Sequence, residues 1–333
     1  MKLVTWRNSG GASSLGCIAS DGKILDLKQA AKTLEDGAVP AFGSMLSLIQ
    51  AGEAALDKAR GVAERAAAQG EEAWYHPYDP KKLLAPLPAP ESVRDAMAFE
   101  DHIINCIRAV GLKKLGALDE KLEKRWGRRA TLARFINRAW YDRPLYYKSN
   151  RFSVVGPEFE VAIPSYCQTF DYELELGVVL GKRGTNIKAS KADAYIFGYT
   201  LFNDFSARDA QLKEMKGRLG PAKGKDFNGG NAMGPMLVTT DELDVEKGIS
   251  LEARVNGERW SRGNTSEMYW SFGEIIEAIS KDETLYPGEF IGSGTCSGTE
   301  GRGCGLEMGR FLQRGDVVEL SGEGLGTLRN SVV

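Results

Sequence analysis

The sequence predicts a β-rich α+β protein, on three observations. From Tyr146 onward the apolar runs are short and punctuated by Gly and Pro, the pattern of successive strands. Sustained helical periodicity is concentrated earlier, in 42–51 and 53–69. Between these regions, Leu84-Ala-Pro-Leu-Pro-Ala-Pro90 sets three prolines in five residues, which makes an extended, stiff linker. The expected domains are therefore 1–82, a small N-terminal α/β unit, and 91–333, a larger β-rich unit.

In chain order, residues 2–26 alternate apolar runs with turns at Gly10-Gly11 and Asp21-Gly22, so small antiparallel strands are expected. Met45, Leu46, Leu48 and Ile49 fall on helical spacing, and 53–69 is rich in Ala, Leu, Lys, Arg and Glu. After the linker, Asp95 and His102 stand seven residues apart, two helical turns, and share a face if 93–110 is helical. A surface histidine beside Glu100 and Asp101 is an equally plain reading. Lys113 to Arg143 is basic and amphipathic, and is expected to be a helical lid or an oligomer contact. Strands are expected in 153–155, 160–163, 169–180, 194–202, 236–239, 250–255 and 317–320.

Composition excludes several classes. The chain has 333 residues, 42% hydrophobic and 26% charged, as in an ordinary globular protein. Its net charge of -2 gives no bulk attraction to nucleic acid or an anionic membrane. The first residues lack the apolar core of a signal peptide, and no run approaches the roughly 18 apolar residues of a membrane span. A cytoplasmic protein is expected. The five cysteines are dispersed and never form C-x-x-C, which argues against a disulfide framework and against a zinc site. With two histidines, His76 and His102, a histidine-dependent mechanism has few candidates.

Two stretches carry candidate chemistry. In Phe170-Asp-Tyr-Glu-Leu-Glu-Leu-Gly-Val-Val-Leu180, alternation sends Asp171, Glu173 and Glu175 to one side and Tyr172, Leu174 and Leu176 to the other. Buried carboxylates ~4 Å apart repel by about 4 kcal/mol at an effective dielectric of 20. A hard divalent cation, Mg²⁺ or Ca²⁺, relieves that repulsion. A solvent-facing acidic strand would alternate in the same way. The second stretch, Gly198 to Gln211, begins as a strand and ends in Asn203, Asp204, Ser206, Arg208, Asp209 and Gln211. If the chain turns helical after Asp204, Arg208 and Gln211 follow on the same face.

The Gly-rich segment Gly292 to Gly305 does not match a phosphate loop, because the glycine spacing is wrong and no strong helix pattern follows. It offers close backbone approach, with Glu300 set among glycines. Cys296 reads as a packed thiol rather than a nucleophile.

Taken together, these motifs resemble the fumarylacetoacetate hydrolase superfamily, in its fumarylacetoacetase-like branch. Asp171 to Gly177 looks like its acidic metal strand, Asn203 to Gln211 its signature turn, Gly220-Pro-Ala-Lys-Gly-Lys-Asp-Phe227 its lysine loop and Gly294 to Glu300 its Gly-Thr loop. The resemblance implies a mixed β-roll behind the small N-terminal domain, in a homodimer. It implies Mg²⁺ (or Ca²⁺ or Mn²⁺) held by Asp95, Glu173, Glu175 and Asp204. It also implies His102 as the base that activates water, oriented by Glu300, with Arg208, Gln211, Lys225, Tyr147 and Thr295 at the substrate. The implied reaction is hydrolysis of a carbon-carbon bond in a 1,3-dioxo acid, of the fumarylacetoacetate or acylpyruvate type, as in aromatic amino acid catabolism. An oxaloacetate-type decarboxylase or an isomerase of dienoic diacids on the same metal site is the alternative. The implied partner is a small dioxo acid, with neither nucleic acid nor membrane.

Overall fold

Two long apolar strands form the middle of the fold, because Leu174–Leu180 and Ile196–Asp204 are rich in β-branched and aromatic residues and are buried on both faces. They pair antiparallel, with Leu174 opposite Asn203 and Gly177 opposite Thr200. The computed structural model, which describes residues 1–112 and 115–333, builds an eleven-stranded sheet around them. On one side follow Phe290–Gly292, Val93–Ala96 and Tyr146–Ser149; on the other, Asn231–Thr239 and then the N-terminal strands. Phe290–Gly292 runs antiparallel to Leu174–Leu180 and parallel to Val93–Ala96, so the sheet is mixed.

The strands expected within 2–26 are Lys2–Arg7, Ser13–Ile18 and Ile24–Asp26, paired antiparallel in sequence. Lys2–Arg7 also pairs with Asn231–Thr239, which joins the N-terminal residues to the same sheet. Helices Leu27–Leu34, Met45–Ala51 and Glu53–Gln69 cover that region. Leu48, Ile49 and Val62 on them share one apolar cluster with Leu3, Val179, Phe202 and Phe290. The proline segment is docked rather than free: Ala85 and Leu87 are buried, and Thr5 Oγ1 donates to the Pro86 carbonyl at 2.6 Å.

A second, five-stranded sheet runs Glu258–Asn264, Ser250–Val255, Val317–Gly322, Gly326–Val332 and Glu160–Val161. Its Leu251, Leu320 and Leu328 bury against Leu176 and Leu201 of the large sheet. Each such side chain contributes about 1.5–3 kcal/mol by leaving water, and truncating one, as in Leu201→Ala, costs about 2–5 kcal/mol. Among the described residues neither sheet closes into a barrel. The fold is mixed α+β and sheet-rich.

Residues 116–126 and 132–136 are helical. Arg128 between them reaches Glu100 at 2.9 Å and Asp101 at 2.6 Å, and Arg134 reaches Glu100 at 3.1 Å. Lys113 and Lys114, where the basic stretch begins, lie outside the described residues. Among those described, no helix is long and apolar enough to cross a membrane.

Candidate active site

Strand ends and register bring four carboxylates together. Asp95 lies on Val93–Ala96, Glu175 on Leu174–Leu180 with Glu173 just before it, and Asp204 is the last residue of Ile196–Asp204. One oxygen from each lies within 4.8 Å of the others, and all four residues are buried. Gly292 stands opposite both Gly177 and Asp95 in the sheet. A Cβ there would press on Asp95 Oδ1 and come within 2.9 Å of Glu175 Oε2, so only glycine leaves room for the carboxylates. The Gly294 amide donates to Asp95 Oδ1 at 3.1 Å and to Glu175 Oε2 at 3.0 Å, fixing both.

Two buried cations offset part of this charge. Lys225 Nζ donates to Glu173 Oε2 at 2.6 Å and to Asp204 Oδ2. Arg208 Nη1 meets Glu173 Oε1 at 2.8 Å and Gln211 Oε1 at 2.9 Å, while its Nε donates to Asp171 Oδ2 at 2.7 Å. The carboxylates therefore differ. Burial would raise Glu173, but Lys225 and Arg208 outweigh it and hold its carboxyl well below the usual range. Burial pushes Asp95 up to about 6 and Asp204 up to about 8, and raises Glu175 well above its ordinary value, with Asp95 adding to the shift.

This donor set fits a hard divalent cation. Glu175 Oε1 and Asp204 Oδ1 are buried without a hydrogen-bond partner among the described residues, a costly arrangement that an oxygen-seeking ion would relieve. Thr295 Oγ1 is likewise buried and unpartnered.

His102 lies on helix Glu100–Cys106, whose first-turn acids favour its N-terminus, and the chain runs on as a π-helical turn, Ile107–Gly111. Its Nδ1 is 2.8 Å from Glu307 Oε1. Glu307 also accepts from Asn105 Nδ2 at 2.9 Å and from Ser297 Oγ at 2.5 Å. Burial opposes charge on the imidazole, but the contacts with Cys304 and Glu307 prevail and push His102 up to about 10.

A cavity of about 600 Å³ connects the two centres, lined by Asp95, His102, Tyr147, Glu173, Arg208, Gln211, Lys225 and Thr295. The Tyr147 hydroxyl donates to Asp204 Oδ2. Of the catalytic, substrate and metal residues that the resemblance implies, Glu300 alone is placed elsewhere: its half-exposed carboxylate pairs with Arg262 at 2.9 Å. Glu307, seven residues later, is the acid beside His102. Nothing in the sequence separates the two, since Glu300 lies within the Gly-rich loop and Glu307 just after it.

Three local expectations are also corrected. Asp95 is on a strand and His102 on a helix, so they line one cavity from either side of a turn rather than along one helical face. The expected strand through 169–180 breaks at Tyr172 and Glu173, between Phe170–Asp171 and Leu174–Leu180. Asp171 consequently leaves the carboxylate group, to bind Arg208 and the amides of Gly305 and Leu306 at 2.8 and 2.9 Å. The helix after Asp204 starts only at Arg208, with Gln211 one turn along.

Fold and site together define an enzyme architecture with a buried carboxylate cage suited to a divalent cation. The Fumarylacetoacetate (FAA) hydrolase C-terminal family model matches residues 123–333. Oxaloacetate tautomerase YisK of Bacillus subtilis (strain 168) is 32% identical over 326 residues, covering 96% of this chain and 95% of that protein. The chain belongs to the fumarylacetoacetate (FAA) hydrolase family, whose members usually bind a divalent metal. In fold it is similar to a fumarylacetoacetate hydrolase from Exiguobacterium antarcticum, with TM-score 0.70 at 24% identity, covering 100% of this chain and 99% of that one. It is similar also to a 5-carboxymethyl-2-hydroxymuconate delta-isomerase from Mycobacterium smegmatis, with TM-score 0.65 at 22% identity, covering 100% and 99%.

Proposed function

We propose that this chain interconverts the keto and enol forms of a small 2-oxo diacid of the oxaloacetate type. The observation that carries the reading is the similarity along nearly its whole length to a protein named oxaloacetate tautomerase. The site supports it. Tautomerisation moves a proton between a carbon and an oxygen and needs no water, whereas hydrolysis needs a base that can take a proton from water. His102, held by Glu307 at about 10, carries its proton at neutral pH and is suited to delivering one. The hydrolytic reading from the sequence gives way on these grounds to its isomerase-like alternative.

Asp95, Glu173, Glu175 and Asp204 would hold the cation, with Mg²⁺ the first choice for an all-oxygen cage. When bound, the cation supplies a Lewis acid toward the oxo group. The remaining work falls to side chains along the cavity. Arg208, Gln211 and Lys225 offer donors to the substrate carboxylates, Thr295 supplies an uncommitted hydroxyl, and Tyr147 orients Asp204. Glu307 steadies His102 in the role first assigned to Glu300.

A second reading, hydrolysis of a longer 1,3-dioxo acid, is favoured by the cavity itself. At about 600 Å³ it falls in the roughly 300–1,000 Å³ range of drug-sized ligand sites, and Ile103, Ile107, Ile136, Leu145 and Met215 give it an apolar wall. One assay separates the readings: enol absorbance of oxaloacetate and of several acylpyruvates, followed with Mg²⁺ and then with excess chelator. The proposal expects Mg²⁺-dependent loss of the oxaloacetate enol without release of CO₂ or scission. Two acid products from an acylpyruvate, with no effect on oxaloacetate, would establish hydrolysis instead.

A further inference from the structure

Two thiols distant from each other in sequence converge on His102. Cys106 follows it by one helical turn, with Sγ 3.6 Å from Nδ1 and 3.7 Å from Nε2. Cys304 arrives on the Gly-rich loop, because its backbone bridges that of Glu173, and its Sγ is 3.6 Å from Glu307 Oε1. One donor atom from each of His102, Cys106, Cys304 and Glu307 lies within 4.8 Å of the other three.

The sulfur separations match a tetrahedral site, and the 2.8 Å contact between His102 and Glu307 would have to widen to admit the ion. With Zn–N near 2.0 Å and Zn–S near 2.3 Å, donors around zinc sit roughly 3.3–3.8 Å apart. The chemistry of the set is distinct from that of the cage: two sulfurs and an imidazole suit Zn²⁺, whereas Mg²⁺ takes oxygen. No residue is shared between the two groups. An entry path exists as well, since His102 and Cys106 both line the substrate cavity. The dispersed cysteines gave no sign of this in sequence, as 198 residues separate 106 from 304.

The geometry points to a second cation site at His102, Cys106, Cys304 and Glu307 that takes Zn²⁺ and, when filled, withdraws His102 from proton transfer. Binding is balanced by proton release: the two thiols and the protonated imidazole lose one proton each, and Glu307 binds as the carboxylate. Zinc would thereby inhibit the enzyme at an ion concentration set by this site, however much Mg²⁺ fills the cage.

The test is spectroscopic first. The full-length protein, reduced and kept under excess Mg²⁺ so that the cage is occupied, is titrated with Co²⁺. Expected are one equivalent of tetrahedral cobalt with thiolate-to-metal charge-transfer absorption, and its bleaching by one equivalent of Zn²⁺. Cys106→Ser, at a half-buried position, should weaken Zn²⁺ binding by more than the 10–100-fold typical of losing an outer-shell partner. Cys304→Ser should likewise weaken binding and diminish the charge-transfer band, with circular dichroism checking the fold. A wild-type spectrum without thiolate absorption, or a Cys106→Ser variant that takes up Co²⁺ with wild-type affinity, overturns the site. The inhibitory half rests on the proposed function and is read separately: Zn²⁺ should slow the wild-type reaction and spare Cys106→Ser. Full turnover with cobalt-verified zinc bound would overturn that half alone, and a protein inactive on every oxo acid tested would still reveal the site by its spectrum.

Discussion

Glu307 Oε1 lies 2.8 Å from His102 Nδ1 across 205 residues of sequence, and its side chain is fully buried. A buried carboxylate beside an imidazole keeps the ring charged, because the pair exchanges two costly isolated charges for one hydrogen-bonded contact. Glu307→Gln removes that stabilisation. His102 should fall from about 10 toward its ordinary value of 6.5, and the alkaline limb of the pH–rate profile should move down with it. Turnover should drop by about 10²-fold, within the usual contribution of an acid-base group, while KM changes little. The control is Glu300→Ala, a surface change expected to stay within about 0.5 kcal/mol of wild type. An unmoved alkaline limb in Glu307→Gln would mean that another group protonates the substrate.

Asp204→Asn and Glu175→Gln each take one charged oxygen donor from the cage while preserving side-chain shape. Calorimetric titration with Mn²⁺ should show affinity weakened by about 100-fold or more, since direct ligands exceed the 10–100-fold typical of outer-shell partners. Comparable affinity in both variants would place the cation elsewhere.

Stability without metal should depend on pH with a definite sign. Asp95, at about 6, and Asp204, at about 8, bind protons more tightly when folded than in the unfolded chain, near 3.8. Their contribution is therefore full below about pH 4 and lost as pH rises through 8. Glu173 acts oppositely: its carboxyl is depressed, so its contribution is present above 4.5 and lost only in strong acid. Melting curves in chelator should decline between pH 5 and pH 8, and saturating Mg²⁺ should flatten that decline by binding the deprotonated carboxylates. A flat profile in chelator would contradict the burial of these groups.

Gly292→Ala tests the cage from its backbone. The new methyl would press on Asp95 Oδ1 and Glu175 Oε2. The variant should fold, lose the tight cation site and lose turnover together. Retention of wild-type cation affinity would show that the carboxylates can spread without cost.

Arg128 fastens the helical segment at 116–136 to Glu100 and Asp101, in the first turn of the His102 helix. Arg128→Ala should lower kcat/KM by roughly 10-fold, the equivalent of about 1.4 kcal/mol, without altering cation affinity. Loss of cation affinity in the same variant would tie this segment to the cage directly.

The fold class was legible because alternation and Gly/Pro punctuation in 146–333 reflect burial, which period-two patterning encodes. Asp95, Glu173, Glu175 and Asp204 were named together only through the family resemblance, since strand alternation by itself grouped Asp171 with Glu173 and Glu175. What patterning could not supply was long-range closure. Glu300 and Glu307 have the same loop chemistry, and only the path of Gly292 to Gly305 across the strand ends decides which one faces His102. Asp171 alternates in phase with Glu173, yet the break at Tyr172 turns it toward Arg208. The eight-residue helix Leu27–Leu34 went unnoticed because two turns hold too few periods to stand out. The meeting of Cys106 with Cys304 is tertiary and has no local signature.

Lys225 grips Glu173 and Asp204 from a turn, while Arg208 grips Glu173 from the helix beside it. The chain thus brings its own counterions to the most acidic place in its interior. Part of the mutual repulsion of these acids is thus met by the fold itself, which lowers what any further cation has to offset.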